Sequence, residues 1–150
     1  MDTNAITQLE QGLIAVLKKE YSFYQSLYIL LDKQRDVVKY DKDENLLDLY
    51  AEIERCQCRI RESEAKITAI RETSPQLFRV ASVHPEVKRL VNCIITLVKK
   101  NIRLVAENEQ YARDRHERIR AELEELRSSQ KILQYMGNVD PLPHFVDGKS

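Results

Sequence analysis

The chain has no tryptophan, only three glycines and only four prolines in 150 residues. With so few breakers, regular structure can run long without interruption. No apolar run approaches the eighteen or more residues of a membrane span. No sign of charge dominates either. Lys and Arg number 24, Asp and Glu number 24, and the formal net charge is +0. Both signs are interspersed, which argues against a general nucleic-acid or anionic-membrane binder, since either needs a basic excess. The three cysteines, an odd number, supply no disulfide framework. The first residues, MDTNAITQLEQGLIAVLKK, have no basic n-region and no long apolar core, so they do not read as a signal peptide. A reduced, cytoplasmic chain is the simplest expectation.

Catalytic signatures are equally scarce. The sequence has no Gly-rich phosphate loop, no nucleophile elbow and no convergent acid pair. His84, His116 and His144 are scattered without zinc spacing. His84 stands at a helix start, where it serves as a cap, and His116 lies among Arg115, Glu117 and Arg118 on a solvated face. Cys56 and Cys58 form a CxC, but two helical steps at 100° each put them about 200° apart, unable to face one metal. Cys56 and Cys93 read as small seam hydrophobes. No enzyme, no cofactor and no metal are expected.

What the sequence does have is seven-residue periodicity. Charged residues make up 32% and hydrophobic residues 43%, a balance that suits long helices with an apolar stripe. The first helix is expected over about residues 4–39, where Leu17, Tyr24, Leu31 and Val38 step by seven. Tyr21, Phe23, Tyr24 and Tyr28 thicken that stripe and read as core. Asp41 followed by Glu44 has capping-box spacing and marks a turn. The second helix is expected over about 43–72. There Leu46, Ile53, Ile60 and Ile67 form one series, and Leu49, Cys56, Ser63 and Ile70 form its companion, as in a coiled-coil seam. Pro75 ends it by forbidding helical geometry at Ser74. A connector over 73–84, carrying Leu77, Phe78 and Val80, is expected to pack on the helices. Pro85 suits the first position of a third helix running to about 136. Along it Val91, Val98, Val105, Ala112, Ile119, Leu126 and Leu133 form an unbroken series, with Leu90, Leu97, Leu104 and Tyr111 beside it. Asn101 and Asn108 sit seven apart near these residues. A buried Asn in a seam costs stability but fixes register. Gly137 and Asn138 supply a stop, and the tail from 137 to 150 reads as irregular.

The fold expected is therefore all-α: an elongated antiparallel bundle or coiled coil of three main helices over 1–136, with an irregular C-terminal tail. Short connections make neighbouring helices antiparallel, so the third runs parallel to the first. At 1.5 Å per residue the three helices span about 53, 45 and 78 Å, so the third is expected to overhang the hairpin by about 25 Å. The overhang still carries Leu123, Leu126, Ile132, Leu133 and Met136. Such a stripe requires a partner: the tail, a second copy or another protein.

The run ENEQYARDRHERIRAELEEL, followed by LQYMG, resembles the C-terminal half of FlgN-type flagellar export chaperones. The segment LIAVLKKEYSFYQSLYILLDKQRDVVKYDKDENLLDLYAEIE is similar in plan to that family's first helix, Asp-containing turn and second helix. Asn108 matches the family's Asn, Leu123 and Leu126 its following leucines, and Tyr135 stands near its tail Tyr. Val105, Glu109 and Met136 depart from the pattern, standing where the family has a second Asn, a Gly and a directly adjoining Tyr-Gly. The resemblance implies a cytoplasmic chaperone. Such a protein binds the late substrates, the hook–filament junction proteins, keeps them from assembling early, and delivers them to the flagellar export apparatus. It needs no cofactor, nucleic acid or membrane insertion. The expected partner surface comprises Asn108, Ile119, Leu123, Leu126, Leu133, Tyr135 and Met136. The competing expectation is a structural or adaptor coiled coil that homodimerises through the same stripe.

Overall fold

A computed structural model describes residues 3–40, 42 and 46–136, with the backbone alone at Ile132 and Tyr135. Four helices make up almost all of this: α1 (Thr3–Lys39), α2 (Leu46–Thr73), α3 (Pro75–Ala81) and α4 (Pro85–Tyr135). Among the described residues there is no strand, so the all-α expectation holds. The Asp41–Glu44 capping pair, the Gly137–Asn138 stop and the tail lie outside the described residues.

The segment expected to be a connector is the one element misread. Residues Pro75–Ala81 form a short helix with Pro at its first turn. Thr73, Ser74 and Pro75 end α2 as expected, but Pro75 then starts a helix, because its fixed φ and missing N–H cost nothing there. The expectation that this segment packs on the helices holds. Phe78 is half-buried against the core and Ala81 is fully buried within it.

The chain divides into two units, Met1–Glu109 and Gln110–Ser150, with the boundary inside α4. The first unit holds the core. In it α1 and α2 run antiparallel: Gln8 and Leu9 lie beside Ala69 and Ile70, while Ser26 and Ile29 lie beside Glu52 and Arg55. One cluster joins Leu27, Leu30 and Leu31 of α1, Leu49, Ile53, Cys56 and Ile60 of α2, and Leu104 of α4. A second joins Leu13, Ile14 and Leu17 to Ala81, Val87, Leu90 and Ile94. The aromatic residues of α1 pack against both clusters, as a core role requires. Each fully buried Leu, Ile or Val contributes roughly 1.5–3 kcal/mol relative to an exposed one, so these clusters are the main source of stability.

The start of α4 is held by His84. Its ring Nδ1 accepts a hydrogen bond from the Glu86 N–H at 3.1 Å, and its carbonyl accepts from Lys88 N–H at 3.0 Å. That satisfies one of the orphan donors of the first turn, as a capping side chain should.

Candidate partner-binding surface

Within the first unit, α4 presents to α1 the positions Val87, Leu90, Ile94, Asn101, Leu104 and Asn108, all buried. Asn101 donates through Nδ2 to the Tyr24 carbonyl at 3.3 Å. Asn108 donates through Nδ2 to the Leu31 carbonyl at 3.0 Å and to Gln34 Oε1 at 2.9 Å. Both carbonyl bonds span 77 positions, a whole number of heptads. The two amides therefore step along α1 in register, and α4 runs parallel to α1 here. Each helix carbonyl already accepts its own i+4 N–H and uses its second lone pair for the Asn. Neither Asn Oδ1 finds a partner, a cost of about 1–3 kcal/mol apiece if no water reaches them. The arrangement sacrifices stability for a defined alignment.

This burial corrects the place of Asn108 on the expected partner surface. Its side chain is 5% exposed and its amide is engaged within the bundle. It also shows which apolar series forms the seam. The unbroken series is not the buried one: Val91 and Val105 are exposed, and the series containing the two asparagines is buried instead. The residues that make the inner face look polar in sequence are the ones that bind α1.

The remaining surface residues lie in the second unit. Along α4 from Gln110 onward, no described side chain is buried, and Tyr111, Arg115 and Gln130 are half-buried. Ile119 is 47% exposed, Leu123 52%, Leu126 43%, Leu133 46% and Met136 70%. Steps of four, three and seven from Ile119 to Leu133 place their Cβ atoms on one stripe of the helix. Tyr135 closes α4, and its side chain lies outside the described residues. Exposed apolar side chains spaced in this way form a ridge with the spacing of one strand of a helical pair.

The edges of that ridge differ in charge. Arg113, Arg120 and Arg127 each follow a member of the apolar series, Ala112, Ile119 and Leu126. All three are exposed. Arg113 donates to Gln110 Oε1 at 3.0 Å, and none of the three forms an ion pair among the described residues. The opposite edge, Arg115, Glu122 and Ser129, mixes both signs.

Several groups singled out by type have structural roles. Cys56 is buried, its Sγ lies 3.1 Å from the Phe23 carbonyl, and burial pushes its thiol pKa up. Cys58 is exposed on the other side of α2 and Cys93 is half-buried. No group of three His, Cys, Asp or Glu side chains converges among the described residues. Glu20 is 5% exposed, and burial, with the charge of Glu64 beside it, pushes its carboxyl pKa up to about 7. Tyr24 bridges three helices. Its hydroxyl donates to Glu64 Oε1 at 3.2 Å while its carbonyl holds Asn101. Burial and that acidic neighbour push its phenol pKa up to about 12.

Sequence reasoning missed a cleft of about 510 Å³ in the first unit, lined by Leu13, Leu17, Ile67, Phe78, Val87 and Val91. Its one legible signal was Phe78 in the segment read as a connector. No helix among the described residues is long and apolar enough to cross a membrane. No family model, curated protein or solved structure matches the chain.

Proposed function

We propose that the chain is a binding protein of the export-chaperone class, FlgN-like in plan. On this reading it holds a helix of a flagellar hook–filament junction protein on the Ile119–Met136 stripe. The observation that carries the reading is that ridge, at 43% exposure for Leu126 to 52% for Leu123, on a helix whose inner face is already satisfied elsewhere. A partner helix laid along it covers apolar surface on both molecules, the helix-in-groove mode. No nucleotide is required, since capture and release are set by competing affinities. The flagellar assignment, the cytoplasmic location and delivery to the export apparatus rest on the resemblance of ENEQYARDRHERIRAELEEL to the FlgN type.

The test replaces Leu123 and Leu126 together with Ser and measures helicity and affinity for a junction protein. The expected outcome is near-normal helicity with at least about a tenfold loss of affinity, or 1.4 kcal/mol. Unchanged binding by a folded variant sinks the proposed surface. The rival reading, a scaffold that homodimerises on the same stripe, has its own signature: a dimer at micromolar concentration that the same two substitutions dissolve.

A further inference from the structure

Charge along the ridge identifies its occupant more narrowly. On an α-helix the residue following each member of a seven-residue apolar series lies 100° around the axis from it. Arg113, Arg120 and Arg127 therefore form one continuous edge of the stripe made by Ala112, Ile119 and Leu126. In a helical pair these are the flanking positions whose charges choose the partner. A chain with 24 basic and 24 acidic residues has no compositional reason to keep this edge free of acid. The three guanidinium groups are exposed and without carboxylate partners among the described residues.

A second copy is poorly matched to this edge. Antiparallel pairing sets the arginine row against itself. Parallel pairing gives one of the three a carboxylate, Arg127 facing Glu122, and gives Arg120 none. A helix edged by Asp or Glu matches all three positions. We infer that the stripe of the second unit receives an amphipathic partner helix whose apolar face is bordered by carboxylates along the side that meets Arg113, Arg120 and Arg127. The inference rests on the proposed docking of a helix on this stripe, not on the flagellar assignment. The arginine row selects among apolar helices that the leucines alone would accept, and the carboxylates accept bidentate hydrogen bonds from the guanidinium forks.

The experiment uses the full chain and two synthetic amphipathic peptides with the same leucine face. One carries Glu and the other Lys at the positions bordering that face. At low salt the Glu-bordered peptide is expected to bind at least tenfold more tightly, and the preference is expected to shrink in 0.5 M salt as screening shortens the interaction. The triple variant R113E/R120E/R127E is expected to invert the preference. R113Q/R120Q/R127Q is expected to abolish it while still binding the Glu-bordered peptide. Circular dichroism reports helicity throughout, and the salt series on the unmodified chain decides the question even where a variant fails to fold. Equal affinity for both peptides, lost when Leu123 and Leu126 become Ser, overturns the acidic-partner inference and leaves the docking surface standing. Binding that ignores those two leucines overturns both.

Discussion

Glu20 is a carboxyl placed in a core, 5% exposed, with Glu64 beside it. Its ordinary pKa is 4.5 and its folded pKa is about 7. Between those values the folded chain holds a proton that the unfolded chain has lost. The stability of this site is therefore greatest below pH 4.5, declines as pH rises to 7, and is flat above. The whole decline is at most on the order of 3 kcal/mol, and less to the extent that solvent screens the carboxyl. Glu20→Gln is expected to raise the free energy of unfolding at pH 8 by roughly 1–3 kcal/mol and to flatten its slope between pH 5 and 8, read by urea titration at several pH values. A variant less stable than the parent at pH 8 would show that the ionised carboxylate is stabilised by its surroundings. The pattern of apolar residues gave no hint of Glu20, because a helical period marks positions as inward without reporting the neighbours that make an acid costly there. Ile53 and Ile60 are the opposite case. Their seven-residue spacing marked them as seam residues, and both are buried in one cluster with Leu27 and Leu31. Changing either to Ala is expected to cost about 2–5 kcal/mol in chemical denaturation. An unchanged midpoint in both variants would misplace the core.

At the scale of the element, periodicity found the three long helices and missed the short one. Seven residues, Pro75–Ala81, are too few to display a 3.6-residue period, and the Thr-Ser-Pro before them is a stop signal for one helix and a start signal for the next. Periodicity also leaves open which edge of α4 is buried, although the reading of Asn101 and Asn108 as buried seam residues holds. Two heptad series lie side by side, and the unbroken apolar one is more exposed than the one interrupted by Asn101 and Asn108. A sequence pattern scores an amide as polar, while the structure turns both amides onto α1 carbonyls. This sets the expectation for their removal. Replacing both with Leu removes two unpaired buried Oδ1 atoms and adds apolar area, so the thermal midpoint is expected to stay level or rise. The cost is alignment, because nothing then penalises a slip of α4 along α1. The check is a ¹H–¹⁵N spectrum. One set of backbone resonances in the parent should become several, or broaden, for residues 87–108 in the double variant. A single sharp set together with a large fall in midpoint would mean that the amides act mainly through stability.

For the molecule as a whole, buried and exposed apolar residues divide along the chain. Every buried side chain lies between Leu13 and Asn108 among the described residues, within the unit Met1–Glu109. The unit beginning at Gln110 contributes exposed apolar residues and an arginine edge. Helix arithmetic on the sequence singles out the end of the long helix, and Ile119, Leu123, Leu126, Leu133 and Met136 there are exposed among the described residues, the most legible part of the candidate site. Asn108 was the part misplaced, since resemblance supplies a residue's position along the helix but not which way it faces. If the two units have separate tasks, deletion should separate them. A chain ending at Glu117 retains every described buried residue and loses Ile119, Leu123, Leu126, Leu133 and Met136. Its thermal midpoint is expected to lie within a few degrees of the parent, because surface residues outside the core usually shift stability by no more than about 0.5 kcal/mol each. Its affinity for a helix that docks on the stripe is expected to fall below detection. Calorimetry measures the first quantity and a binding titration the second. A midpoint lower by ten degrees or more would show that residues beyond 117 are part of the folding unit. The ridge would then be a core surface rather than a docking surface, and its exposed leucines would be covered from within the chain.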